Sequence, residues 1–117
     1  MLPTEDLLRI EAFEQATTSL LTLTESLERE ELARARLTRL EVRRCLLDAT
    51  SAIGALSAEA QEALPELDRA AWRATQRRLD AGEAVESETA WFAIQALAPT
   101  TLGWLRFYRS QQPELFV

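Results

Sequence analysis

The chain has no histidine, no lysine, no asparagine and only one cysteine. Each absence removes a chemistry. Without histidine, neither the Ser-His-Asp nor the Cys-His nucleophile system can be assembled. The helix-borne Glu-x-x-His pairs that hold two metal ions in some bundles are missing for the same reason. One cysteine and no histidine cannot fill a tetrahedral zinc site. No glycine-rich loop leads into a lysine that could cradle a phosphate. Cys45 has no partner for an internal disulfide. Flanked by Val42, Leu46 and Ala49, it reads as a small buried hydrophobe. No cofactor, metal site or catalytic residue is expected.

Other scarcities bound the architecture. No apolar run approaches the roughly 18 residues of a membrane span. The opening Met1-Leu2-Pro3-Thr4-Glu5-Asp6 has no basic region followed by an apolar stretch. The expectation is a cytoplasmic protein that does not enter a membrane. Every positive side chain is arginine, and 13 of them face 19 acids for a net charge of −6. Such a chain does not coat itself with nucleic acid through net charge; that contact would need a local arginine patch. Arginine without lysine is also what a GC-rich genome produces.

What remains points to helix. The 117 residues suit one domain, and 47% hydrophobic content supplies a core. Most of the three glycines and four prolines lie where helices should stop or start, and no convincing strand alternation is found. Thr4 fits the N-cap of a first helix, with Glu5 and Asp6 on the positive end of its dipole. Leu7, Ile10, Phe13, Ala16, Leu20, Leu23 and Leu27 then fall on one face. The charged stretch from Glu28 to Arg36 is the expected turn, because one helix up to Gly54 would far exceed the common length of about 12 residues. A second helix carries Val42, Leu46, Ala49, Ile53 and Leu56, with a second apolar arc of Leu37, Leu40 and Leu47. Ser57 can cap a short turn of helix ending near Leu64. Pro65 suits the first turn of a third helix running through Trp72 to Ala81, with Gly82 as the left-handed residue beyond. Ser87 can cap the last helix. There Trp91, Ile94, Ala98, Thr101, Leu105 and Tyr108 keep their phase across Pro99, which predicts a kinked helix. The expected fold is an all-α up-down bundle of four to five helices.

Three groups of side chains are candidates for contact. Arg36, Arg39 and Arg43 share one side of the second helix, between its apolar arcs. They either lay their stems along apolar surface or contact a phosphate or carboxylate at a groove. Arg69, Arg73 and Arg77 recur every four residues on the third helix, flanked by Arg78. No acid stands four residues from Arg73, so this is a solvated ridge or one kept for an acidic partner. Trp104, Phe107, Tyr108 and Phe116 are core with a docked tail, or an edge that pairs two copies or binds a partner. The carboxylate pairs Glu11/Glu14, Glu25/Glu28 and Glu59/Glu62 read as solvated faces.

One order of residues is familiar: Arg43-Arg44-Cys45-Leu46-Leu47, Ile53-Gly54-Ala55-Leu56-Ser57, Leu64-Pro65-Glu66-Leu67, Trp72-Arg73, then Trp91, Ile94, Leu97, Pro99 and Leu102. It resembles the HepT-like branch of the HEPN superfamily, over most of the chain from Leu7 to Tyr108. The resemblance implies a helical bundle that pairs with itself. Active members look like ribonucleases, often toxins beside a small nucleotidyltransferase antitoxin. Their signature is an arginine, four to six residues, a histidine, any residue and a tyrosine. Arg77 or Arg78 matches the arginine, but no histidine follows, and Tyr108 lies on another helix. The acid these proteins often carry on the second helix would fall near Ser51. The resemblance therefore implies a non-catalytic member, since the group that moves protons near neutral pH is missing. The functional expectation is a module acting by protein contact. The alternative is a small acidic adaptor, immunity factor or assembly chaperone unrelated to that superfamily, whose charge suits a basic partner.

Overall fold

The computed structural model describes all residues 1–117. Acidic Glu5 and Asp6 open the first helix, α1 (Thr4–Thr24), and its buried face is Ile10, Phe13, Thr17, Leu20 and Thr24. The expected phase is right for Ile10, Phe13 and Leu20. Thr17 and Thr24, however, take core positions, while Leu23 is exposed. A threonine can be buried there because its hydroxyl bonds back to its own helix: Thr17 Oγ1 donates to Phe13 O at 2.8 Å and Thr24 Oγ1 to Leu20 O at 2.8 Å. Thr4 is not the cap. The helix already includes it, and Pro3 precedes with no side-chain cap.

The expected turn is shifted and contains a helix of its own. α1 stops at Thr24, and α2 (Arg29–Arg34) follows, opened by a capping box in which Glu28 and Glu31 each accept from the other's backbone. Ala35 (φ −92°, ψ 84°) breaks the path before α3 (Arg36–Gly54). Val42, Leu46, Ala49 and Ile53 are buried on α3 and Leu56 just beyond it, as the spacing predicts. The second arc differs. Leu37 and Leu40 are exposed and only Leu47 is half-buried, because no helix covers that side.

Ser57 caps α4 (Ala58–Ala63), accepting from Ala60 N. Pro65 starts a 3-10 turn (Pro65–Leu67) rather than the third long helix. That helix, α5 (Arg69–Arg78), begins after Asp68, which sits at φ 55° and accepts from Ala71 N at 3.1 Å. Aspartate is among the few residues that tolerate this left-handed position. α5 ends at Arg78, three residues earlier than expected. Gly82 has positive φ, as foreseen, but with ψ 156° it leads into the next helix instead of closing the last one.

α6 (Glu83–Phe92) therefore starts four residues before Ser87, which lies inside it and caps nothing. It continues through a π-helical segment (Ala93–Leu97) into α7 (Ala98–Gln111). The π turn is how the chain accommodates Pro99. Ala98 N donates to Ala93 O, five residues back, so the proline enters a widened turn instead of clashing with the preceding one. Taken as one rod, α6–α7 spans about 43 Å at α-helical rise, which matches the 44 Å long axis of the molecule. With the rod counted once, six helices are present and no strand.

Few side chains fasten these elements together. Asp6, at the start of α1, accepts from Ser57 N at 2.9 Å and Ser57 Oγ at 2.6 Å, so α1 and α3 run antiparallel. Trp72 is fully buried on α5; its Nε1–H donates to Thr101 Oγ1 at 3.1 Å, and Phe13 meets its ring edge-on at 5.1 Å. The ends meet where Leu2 N donates to Leu115 O.

Candidate partner-binding groove

The break at Ala35 turns α2 across the start of α3 and opens a cavity of about 540 Å³. Its floor is apolar, with Leu32, Val42, Leu46, Leu79 and Ala90 all buried beneath it. Leu40 stands half-exposed at the mouth, and Leu37 is three residues earlier on the same face of α3. Arg29, Arg36, Arg39 and Arg43 form one wall, and Asp80, Glu83 and Glu86 the other.

The walls are partly tied together. Arg39 Nη1 meets Glu83 Oε1 at 2.9 Å. Arg43 pairs with Asp80 through Nη2, and with Glu86 through Nη1 at 3.3 Å. Its Nη1 also donates to Leu79 O at 2.7 Å, closing the carbonyl end of α5. The hydrogen bond that Arg43 donates to Asp80, with Glu86 adding to it, raises the Arg43 pKa above its already high ordinary value. Arg43 is thus a fixed cation. Arg39 Nε is buried with no hydrogen-bond partner. Arg29 and Arg36 are exposed at the rim and make no ion pair. Four guanidiniums thus face three carboxylates, a local positive excess on an acidic protein. The combination of apolar floor and forked donors suits a ligand with an apolar body and a carboxylate.

Arg36, Arg39 and Arg43 are therefore brought together in one wall. Arg29, Leu32 and the α6 acids complete the site and were not singled out in the sequence. Their signal is weak, because nothing in the local spacing shows that α2 folds back over α3. The second arginine group is separate. Arg69 is not part of a ridge: its Nη2 donates to Gly54 O at 2.6 Å and closes the end of α3. Arg73, Arg77 and Arg78 are exposed, make no ion pair and lie outside the cavity. Of the aromatic group, Tyr108 is core, with its Oη accepting from Glu66 N at 3.4 Å. Trp104 is half-buried, with Phe107 edge-on at 5.5 Å, and Phe107 itself is 50% exposed. Phe116 lies under Arg109, which also pairs with Glu14 at 2.6 Å.

No three acidic or cysteine side chains converge on a common point. Cys45 is buried, and burial pushes its thiol above the ordinary range. A more open depression between α1 and α3, with Leu8, Ala12 and Ala52 on its surface, offers only Arg9 as a cation. No helix is long and apolar enough to cross a membrane. No protein-family model matches the chain, and no curated protein or solved structure matches it.

Proposed function

We propose that this protein is a non-catalytic helical binding module. Its working surface is the groove between α2–α3 and α5–α6, and its ligand is a segment of a protein partner. That segment presents an apolar side chain to Leu40 at the mouth and carboxylates to Arg29 and Arg36. One observation carries the reading: two arginines without acidic partners stand at the rim of a cavity of about 540 Å³ with an apolar floor. The exposed Leu37 and Leu40 extend that floor outward. We read the long elements as an up-down bundle, on the contacts Asp6–Ser57, Arg43–Leu79 and Trp72–Thr101.

The HEPN-like reading is compatible with this proposal and adds to it. A degenerate member would act through protein contact, a nucleotidyltransferase would be its natural partner, and Arg73, Arg77 and Arg78 would be its residual RNA-facing ridge. The test is a comparative pull-down from the native host with the wild-type chain, an Arg29→Glu/Arg36→Glu variant and an Arg73→Glu/Arg77→Glu variant. Proteins are identified and bound RNA is quantified. The groove reading expects a specific protein lost only with the first variant. Loss confined to the second variant, or RNA as the main cargo, would move the function to the α5 ridge.

A further inference from the structure

The arginines that α3 places in the groove are not equally committed. Arg43 is saturated, holding Leu79 O, Asp80 and Glu86 at once. Arg36 pairs with no acid. Arg39 stands between these extremes. A guanidinium has five N–H donors. Arg39 uses Nη1 alone, on Glu83 Oε1 at 2.9 Å, while its Nε is shielded from water and bonds nothing.

Glu83 is a loose partner for it. Its side chain is 81% exposed, against 32% for Glu86. One carboxylate oxygen meets one nitrogen, where a carboxylate seated squarely on arginine makes two parallel bonds. Glu83 has no second cation, and it opens α6 directly after Gly82. A carboxylate in the first turn of a helix is favoured by the dipole without any cation beside it. Glu83 therefore keeps a stabilising position after letting go of Arg39. The pair also spans the groove, since Arg39 comes from one wall and Glu83 from the other. A glutamate side chain thus already sits where an acidic ligand would have to bind.

We infer that Arg39 is the residue that grips the ligand and that Glu83 holds its place in the free protein. An acidic side chain of the partner segment displaces Glu83 and seats both oxygens on the Arg39 fork, with an apolar neighbour against Leu40. This rests on the groove reading above and adds a guarded third arginine to the free Arg29 and Arg36. The guard has a consequence for specificity. A segment with no carboxylate leaves the Arg39–Glu83 pair closed. An exposed ion pair is weak, so displacing it lowers the affinity of an acidic ligand only about two- to fivefold.

The probe is the acetylated and amidated dipeptide of phenylalanine and glutamate, whose one charge is a side-chain carboxylate. Its binding is followed by NMR shifts in the wild type, Glu83→Gln, Arg39→Gln and the double variant. Unchanged shifts away from the groove report that each variant is folded. Glu88→Gln makes the same charge change on the same helix, at an exposed residue that lies outside the groove. Glu83→Gln should bind the probe about two- to fivefold tighter than wild type, and Glu88→Gln should match wild type. Arg39→Gln should bind it roughly tenfold more weakly, as expected when a charge-assisted hydrogen bond is lost. Adding Glu83→Gln to Arg39→Gln should then change nothing, because the two residues act through one contact. The corresponding dipeptide of phenylalanine and glutamine should bind weakly and be indifferent to Glu83→Gln. Equal affinity of wild type and Glu83→Gln, an equal gain from Glu88→Gln, or a Glu83→Gln gain that persists without Arg39 would overturn the inference. The groove reading would survive any of these results provided Arg29→Glu/Arg36→Glu still abolishes binding. Absence of binding, or shifts confined to other surfaces, would overturn both.

Discussion

Replacing Asp6 by alanine removes the acceptor that ties the start of α1 to the start of α4. The Asp6 carboxylate is 1% exposed and accepts from both the backbone N and the hydroxyl of Ser57. Hydrogen bonds to a charged group contribute about 1.5–3 kcal/mol each. Part of that is offset, because the buried carboxylate no longer has to be desolvated. The net loss should be about 2–4 kcal/mol. Near 4 °C per kcal/mol for a domain of this size, the melting temperature should fall by roughly 8–16 °C. The effect should reach α4 as well. The same hydroxyl that donates to Asp6 accepts from Ala60 N at 3.2 Å, so losing Asp6 frees the cap to rotate. Asp6→Asn keeps an acceptor and a donor in place and should cost about 1 kcal/mol. The assay is urea unfolding of Asp6→Ala, Ser57→Ala and the double variant. A coupling above about 1 kcal/mol is expected for residues in direct contact. An Asp6→Ala protein within about 0.5 kcal/mol of wild type, or additive single effects, would refute the reasoning.

Three further outcomes follow from the packing. Thr101→Val leaves the Trp72 indole N–H buried without an acceptor and should cost about 1–3 kcal/mol in urea unfolding, whereas Trp72→Ala should cost about 3–5 kcal/mol through the cavity it leaves. Gly82→Ala forces a side chain onto φ 109° and should cost about 1–3 kcal/mol, although a Cβ there meets no neighbour. Cys45 sets the alkaline behaviour. Its folded pKa is raised by burial, so its stabilising effect is complete below the ordinary thiol value of about 8.5 and is lost as pH climbs through the folded value. With no histidine, stability should be flat from about pH 6 to 8. Melting curves of wild type and Cys45→Ala should diverge only above the thiol range.

Much of this fold could be read from spacing. Ile10, Phe13 and Leu20, and then Val42, Leu46, Ala49 and Ile53, lie where a helical period puts them, because each faces a neighbouring helix. The period failed where a polar side chain could be satisfied locally. Thr17 and Thr24 are buried because their hydroxyls bond to the preceding turn, and hydropathy does not register that. Asp6 was assigned to the helix dipole, since its partner is 51 residues away. Boundaries slipped where turn chemistry was ambiguous. Pro65 suits a 3-10 turn as well as an α-helix, and Asp68 became the true cap only by entering the left-handed region. The groove was half legible. Arg36, Arg39 and Arg43 share a helix face in any reading, but their acidic partners and Arg29 come from other elements. Only the breaks at Ala35 and Gly82 bring those into reach.

We propose that the groove is the surface that meets the partner. A photo-reactive amino acid placed at Leu40, in the mouth of the groove, tests it in the native host. The same probe at Leu8, in the depression between α1 and α3, serves as the reference. One specific protein should be cross-linked from position 40 and not from position 8, and that product should be lost when Arg29 and Arg36 are changed to glutamate. Equal labelling from both positions, or a product from position 40 that is indifferent to the two arginines, would contradict it.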